Sequence, residues 1–463
     1  MSTGPPSDGA AAASTRRSPP KGDDDAHLAR GRSRSIAHSG VEAALSRVVV
    51  LVCLVALVIV TGRLMEPAGR GLYALATVAA MLCGLPLGSV WVANAVEIAR
   101  RRTALSEIYG ASMVIALVGG VATAVVAVSI SPALGDRWWI VAFPAAVTPF
   151  MLLARYQEGI YTSLGHIRAV NLVRIARAAL PLVFIAPPLI AGASAQTAIG
   201  VWVLWWVALP AMLLVPMWSL VGRPRLPSER GFYGRVITYG AKISGLNAAT
   251  LINDRVGLLA LALFAAAAEV GIYSIAIAAT QALLLMTEAL TLSAFHRIGG
   301  DARDASAALT AHAIRHSVLL AAVGSIVLVP LTVFAIPWTV GDAYGDVPLL
   351  IALLVPTTIA SAAFFPLYTF FEVQIATASV RLKIAGAALV ANIALSVSLA
   401  PVWGMWGVAV GSSIAYVIAG VVAFAAFRRA SGIRLRGLRP GRGELRDYVV
   451  LVRSYAGRHG STP

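Results

Sequence analysis

The chain is poor in charge and in cysteine. Only 13% of its 463 residues are charged, whereas 58% are hydrophobic, and a soluble globular protein carries roughly twice that share of charge. This composition excludes an ordinary soluble enzyme. Both cysteines, Cys53 and Cys83, lie in apolar runs without a histidine cluster nearby. The sequence therefore indicates neither a disulfide framework nor a zinc site, and we expect no bound metal.

The sequence also lacks a Walker motif, so we expect no ATP-driven step and no cofactor. No apolar stretch occurs within the first 30 residues, which argues against a signal peptide and predicts that the first hydrophobic segment remains as a membrane span. Residues 1–40 are rich in Ser, Gly, Pro, Ala and Arg. They contain too little apolar surface to fold, and we expect a disordered basic tail there.

Long apolar stretches are what the chain has in abundance. Each is about as long as the ~20 residues that a helix needs to cross the hydrocarbon core of a bilayer. We expect the shortest, which ends before Arg155, to continue past that residue. The pattern predicts an all-α polytopic membrane protein with about twelve spans: 43–62, 72–96, 108–130, 139–154, 178–195, 198–220, 238–262, 270–294, 317–337, 348–371, 384–400 and 405–427.

The basic residues predict the orientation of these spans. Both terminal regions and the connections on their side hold 33 Lys and Arg residues, the six opposite connections hold three, and Arg255 lies within a span. Because Lys and Arg accumulate in cytoplasmic loops, we expect a protein of the cytoplasmic membrane with both termini in the cytoplasm. The basic tail at 428–463 follows the last span directly, which favours membrane lipids over nucleic acid as its partner.

Two sequence echoes indicate an internal repeat. Gly-Leu-Tyr-Ala-Leu-Ala at 71–76 recurs as Gly-Ile-Tyr-Ser-Ile-Ala at 271–276, an offset of 200. Tyr-Thr at 161–162 with Val-Arg at 173–174 recurs at 368–369 and 380–381, an offset of 207. The alternative is chance recurrence, because glycine and tyrosine are common at helix contacts and interfaces of membrane proteins.

A repeat of six spans gives both halves the same orientation and relates them by an axis along the membrane normal. We therefore predict an N-terminal six-helix lobe at 41–221, a cytoplasmic linker at 222–237 and a C-terminal six-helix lobe at 238–427. A cleft between the two lobes is the expected consequence.

Four segments carry a resemblance to a known family. They are the turn at 63–76, the loop at 159–174, Asn253-Asp254-Arg255 with 271–273, and Leu-Ala-Pro-Val-Trp-Gly-Met-Trp-Gly-Val-Ala at 399–409. In order and spacing they resemble the Wzx-type polysaccharide-biosynthesis flippases of the multidrug/oligosaccharidyl-lipid/polysaccharide exporter superfamily. The resemblance covers residues 43–427.

This resemblance implies a MATE-like exporter fold and a transporter rather than an enzyme. The implied activity is movement of a polyprenyl pyrophosphate-linked oligosaccharide across the cytoplasmic membrane for surface polysaccharide synthesis, by alternating access of the two lobes. Other polysaccharide-assembly membrane proteins are the expected partners. The alternatives are an ion-coupled exporter of amphipathic small molecules and, less favoured, a membrane-embedded polysaccharide polymerase or ligase.

Charged residues within or beside the spans are the candidate site residues, because charge in hydrocarbon is costly. We interpret Arg255 as a substrate-phosphate ligand and Asp254 as a cation or proton site. Arg174 and Arg177, three residues apart on one helix face, are candidates to receive the pyrophosphate. Glu288 is a second ion-coupling candidate. The structural alternatives are contacts with other helices for Asp254, Arg255 and Glu288, and a cytoplasmic anchor for the two arginines.

Overall fold

The computed structural model describes the backbone of residues 22–100, 103–132, 135, 138–300, 303–374 and 378–433. Side chains are described over the same ranges except at 22–41, 43–44, 286, 288–304 and 372–379. The described chain is helical and contains no strand. This confirms the predicted all-α class.

Fifteen α-helices follow one another in the described residues. A π-helical turn, Ile115–Gly119, joins α3 to α4, and a 3₁₀ turn, Asp342–Tyr344, precedes α14. The α-helices are α1 Gly22–Gly84, α2 Val90–Arg100, α3 Leu105–Val114, α4 Gly120–Ile130, α5 Trp139–Ala145, α6 Thr148–Ser163, α7 Ile167–Ile190, α8 Ala195–Met212, α9 Leu214–Val221, α10 Phe232–Asn253, α11 Val256–Phe264, α12 Ala267–Gly300, α13 Arg303–Thr339, α14 Val347–Gln374 and α15 Ala378–Ser431.

Eight helical segments are long and apolar enough to cross a membrane, and the bent pairs α5–α6 and α10–α11 bring the number to ten. Two segments, Leu45–Gly84 with 40 residues and Val380–Ser431 with 52 residues, are far longer than the ~20 residues of one crossing. Each contains one residue with non-helical backbone angles, Glu66 in the first and Gly404 in the second. Each of these two segments is thus interrupted once, and each is long enough for two crossings.

The sequence explains both interruptions. Glu66 precedes Pro67, and a residue before proline is disfavoured in the helical region, so the helix is interrupted at this point. Glu66 itself has φ 58° and ψ 168°. Gly404 adopts φ 53°, which glycine tolerates because it has no Cβ. The backbone N–H of Met405 donates to Oε2 of Glu269 at 2.9 Å, so a carboxylate from α12 caps the last span.

Several helices begin earlier than hydropathy predicts. Helix α1 begins at Gly22, inside the tail expected to be disordered, and α10 begins at Phe232, inside the predicted linker. Helix α7 begins at Ile167 rather than at residue 178. Hydropathy does not assign polar residues at helix ends outside the hydrocarbon to a span. Ala, Arg and Leu at those ends nevertheless favour helix. The spans at 43–62, 178–195 and 238–262 therefore underestimate these helices.

The two copies of the first sequence echo contact each other. A Cβ on Gly71 would collide with the carbonyl oxygen of Ala267, and a Cβ on Gly271 would collide with that of Pro67. Each colliding oxygen lies four residues before the other glycine. The contact is therefore reciprocal between the two copies of the echo.

A second contact between the halves lies at the end predicted to face the cytoplasm. Phe232 and Val236 of α10 are buried in a cluster otherwise made by residues of the first half, among them Val90 of α2 and Tyr156 of α6. A Cβ on Gly240 would stand 2.8 Å from the Cα of Val90. The start of α10 therefore packs inside the first half of the chain.

Candidate functional site

The polar triplet Asn253-Asp254-Arg255 lies at a break between two helices. Helix α10 ends at Asn253, α11 begins at Val256, and their axes differ by 55°. The seventh span predicted at 238–262 is therefore bent at these residues. The physical reason is that these three polar side chains bond to other helices, so the chain leaves the helical path where they are satisfied.

Asp254 is held by a tyrosine of the last span. The hydroxyl of Tyr416 in α15 donates to Oδ1 of Asp254 at 2.8 Å, and both residues are partly or fully buried. This contact joins residues 162 positions apart in sequence. This hydrogen bond engages one of the two carboxylate oxygens of Asp254.

Asn392 organises the polar groups beside this carboxylate. Its Nδ2 donates to Oδ1 of Asn253 at 2.9 Å and to the Asn253 carbonyl at 3.2 Å. Its Oδ1 accepts from the hydroxyls of Ser396 and Ser412, both at 3.1 Å. Asn392 is only 1% exposed, so all four bonds form away from bulk water.

These side chains border a small cavity. It offers about 50 Å³ to the centres of water-sized molecules, several times the ~10–15 Å³ that one water needs. None of its described lining residues is Arg or Lys, and Asp254 is the acidic residue among them. Hydroxyl and amide groups make up most of the polar wall: Asn253, Tyr273, Thr280, Gln281, Thr357, Thr358, Ser361, Asn392, Ser412 and Tyr416. The space suits a small cation or a few waters.

Arg255 does not line this cavity. Its Nη1 stands 3.5 Å from Oε1 of Gln281 in α12, a long contact at the limit of a hydrogen bond. The break between α10 and α11 thus directs two neighbouring charges to different surroundings. Among the described side chains, Arg255 shares no hydrogen-bond partner with Arg174 or Arg177.

Arg174 and Arg177 both bind one carboxylate. Nε of Arg174 lies 2.7 Å from Oε1 of Glu158, and Nη1 of Arg177 lies 2.8 Å from Oε2 of the same residue. The two arginines lie in α7 and Glu158 lies in α6. The predicted shared face of Arg174 and Arg177 is therefore present, and the acidic partner is the feature that the sequence interpretation missed.

A third arginine stands three residues before Glu158 on the same helix. Arg155 is exposed although it lies well inside the span formed by α5 and α6, and no described carboxylate lies within ion-pair distance of it. An arginine in mid-span faces water or protein rather than lipid, because exposure to hydrocarbon is costly. Arg155, Glu158, Arg174 and Arg177, which we call the arginine cluster, carry a net charge of two positive units. The i,i+3 spacing of Arg155 and Glu158 was the available sequence signal.

Glu288 lies in α12, but its side chain is outside the described residues. Within the described part of the chain, no group of three or more His, Cys, Asp and Glu side chains is placed to hold a metal ion.

Solved structures that share this fold include two with TM-scores of 0.60 or above. One is the lipid II flippase MurJ in an inward closed conformation, with a TM-score of 0.68 and 9% identity, covering 85% of this chain and 90% of that one. The other is a multidrug resistance MATE family transporter of the MOP superfamily in an inward-facing conformation, with a TM-score of 0.60 and 17% identity, covering 84% and 94%. No protein-family model matches the sequence, and the curated protein sequences give no match.

The fold and the apolar helices define a multi-pass membrane protein with the architecture of MurJ and the MATE transporters. The predicted MATE-like fold is confirmed. At 9% and 17% identity the similarity concerns the fold.

Proposed function

We propose that the chain is a flippase of the cytoplasmic membrane that moves a polyprenyl diphosphate-linked oligosaccharide for surface polysaccharide synthesis. The arginine cluster is the observation that carries this proposal. Guanidinium groups bind phosphate oxygens through paired, charge-assisted hydrogen bonds, and the cluster has three of them within or beside a span against the single carboxylate of Glu158.

The charge of the cluster matches that of the ligand. A diphosphate that links a lipid to a sugar carries two negative charges, and the cluster carries two net positive charges. Arg174 and Arg177 supply the donors, while the prenyl tail stays in the bilayer. Arg255 remains a predicted phosphate ligand, since its contact with Gln281 is long and readily exchanged.

The cavity at Asp254 serves as the coupling site. A monovalent cation or a proton there meets one carboxylate and several neutral oxygens, the groups that hard cations prefer. Because the sequence carries no Walker motif, an ion gradient is the proposed driving force. Glu288 remains a second predicted coupling residue, and both termini remain predicted to be cytoplasmic.

One observation favours a different cargo. A cavity that contains a carboxylate and no basic residue also suits an organic cation, as expected of an ion-coupled exporter of amphipathic small molecules. The limited space at Asp254 argues for an ion instead. The two candidates differ in the arginine cluster, which a cation exporter does not need.

Lipid-linked sugar in cells without this protein tests the proposal. We expect the lipid-linked oligosaccharide to accumulate in the cytoplasmic leaflet, and wild type to restore its turnover. The double variant R174Q/R177Q is expected to fail because it removes the two guanidiniums proposed to bind the diphosphate, and R255A is expected to reduce turnover.

The matched control is R168Q, expressed at the same membrane abundance. Arg168 lies on the same helix and pairs with Glu42 at 3.1 Å, but its side chain is 82% exposed and lies outside the cluster. R168Q should restore turnover. Normal turnover of lipid-linked sugar in cells lacking the protein would rule the proposal out in favour of small-molecule export.

A further inference from the structure

Glu158 occupies the donors that an anionic ligand of the arginine cluster would use. Each of its carboxylate oxygens accepts from a different arginine, at 2.7 Å from Arg174 and 2.8 Å from Arg177. The carboxylate is thus a ligand already in place, bound in the two-pronged manner of a phosphate.

Exposure separates the acid from the two bases. The side chain of Glu158 is 12% exposed, whereas those of Arg174 and Arg177 are 40% and 41% exposed. An incoming anion therefore meets the guanidinium groups first, with the carboxylate behind them.

We propose that Glu158 is an internal counter-anion that makes the arginine cluster selective for diphosphates over the single phosphates of membrane phospholipids. This inference rests on the proposed function, since it concerns how the same cluster chooses its ligand. A phosphodiester carries one negative charge, as Glu158 does, so exchanging one for the other yields no gain in charge pairing. A diphosphate brings two charges and enough oxygens to bind both arginines, and it displaces the carboxylate.

Arg155 gives the displaced carboxylate a new partner. It precedes Glu158 by three residues on α6, a spacing at which side chains on a helix meet. Displacement of the Glu158 carboxylate then leaves no buried charge unpaired. An unpaired buried charge is the usual cost of breaking such an ion pair. The arginine cluster is therefore able to exchange the Glu158 carboxylate for another anion.

The test measures binding by the purified full-length protein in detergent. The probes are inorganic pyrophosphate, dimethyl phosphate as a monoanionic phosphodiester, farnesyl diphosphate as a prenyl-linked diphosphate and ADP as a soluble one. Wild type should bind pyrophosphate and show little affinity for dimethyl phosphate. Farnesyl diphosphate should bind more tightly than ADP; equal affinity for the two would contradict a lipid source of the ligand.

E158Q keeps the shape of the side chain and removes its charge. We expect its affinity for dimethyl phosphate to rise about tenfold, the scale of one charge-assisted hydrogen bond, so that selectivity for diphosphate falls. E158D retains the charge on a shorter side chain and should restore most of the selectivity, and it also covers the case in which E158Q does not fold.

E42Q is the matched control, because Glu42 pairs with Arg168 of the same helix outside the cluster. Its selectivity should equal that of wild type. Unchanged or weaker binding of both anions by E158Q, with E42Q unchanged, would overturn the inference. Binding of purified protein is independent of transport in cells, so the inference and the proposed function fail in separate assays.

Discussion

Asn392 uses all of its described hydrogen-bonding groups inside the protein. It donates to Asn253 and accepts from two serines while only 1% exposed. Removing the amide leaves the groups of Asn253, Ser396 and Ser412 without their partner, and unsatisfied buried groups are costly. This residue therefore contributes to stability as well as to the position of Asp254.

We predict that N392A lowers the free energy of unfolding by about 1–3 kcal/mol, the cost of leaving buried polar groups unsatisfied. Thermal denaturation of the purified protein in detergent measures the effect. S129A is the control, because the exposed Ser129 hydroxyl bonds only to a carbonyl of its own helix. Equal midpoints for N392A, S129A and wild type would contradict the structural role given to Asn392.

Single charged residues were predictable from the sequence, and their partners were not. Asp254, Arg174 and Arg177 stand out because charge is scarce near apolar runs. Tyr416 and Asn392, which bind at Asp254 and Asn253, lie 162 and 139 positions away from them. Nothing in either local sequence marks them, since Tyr and Asn are common at helix contacts. The pairing of both arginines with Glu158 depends on the turn between α6 and α7.

At the level of secondary structure, interruptions in the helices position the polar groups. The α10–α11 break directs Asp254 and Arg255 apart, and the non-helical residues Glu66 and Gly404 divide two long helices into spans. Hydropathy predicted where apolar segments lie. It could not predict the α10–α11 break, because no proline marks that position.

Gly240 permits close contact between α10 and α2. We expect G240L to lower the free energy of unfolding by about 1–3 kcal/mol, the usual cost of overpacking. Its new side chain would meet the backbone of Val90. Thermal denaturation again provides the measurement.

The matched control is G245L on the same helix, where no atom of another helix lies within 4 Å of the position of a new Cβ. Replacing glycine in a helix favours the helix by about 0.5–1 kcal/mol, so G245L should be neutral or slightly stabilising. A drop of the same size in both variants would show that the α2–α10 contact is not the cause.

Two contacts hold the halves together at opposite ends of the molecule. Gly71 and Gly271 meet at the predicted outer end, and α2 meets α10 at the predicted inner end. The echo at 71–76 predicted a relation between the halves from sequence alone. The inner contact was not predicted, because residues 232–237 were assigned to a linker. Alternating access requires that the two contacts open in turn.

We predict that a crosslink across the inner contact stops transport. The backbone N–H of Ser89 donates to Oγ of Ser244 at 3.0 Å, so cysteines at these two positions lie within reach of a short thiol crosslinker. The background needs alanine in place of Cys53 and Cys83, which are both free. Crosslinked S89C/S244C should lose transport and regain it when a cleavable crosslinker is reduced. Full transport by the crosslinked protein would contradict opening at this contact.

The most direct test of lipid transport by this protein follows a labelled lipid across a bilayer. Purified protein in vesicles, with a fluorescent prenyl diphosphate-linked sugar and a membrane-impermeant quencher, reports movement between leaflets. We predict faster movement with wild type and R168Q than in protein-free vesicles, and no acceleration with R174Q/R177Q. Equal rates for wild type and protein-free vesicles, or for wild type and R174Q/R177Q, would contradict the claim that the arginine cluster carries a diphosphate-linked lipid.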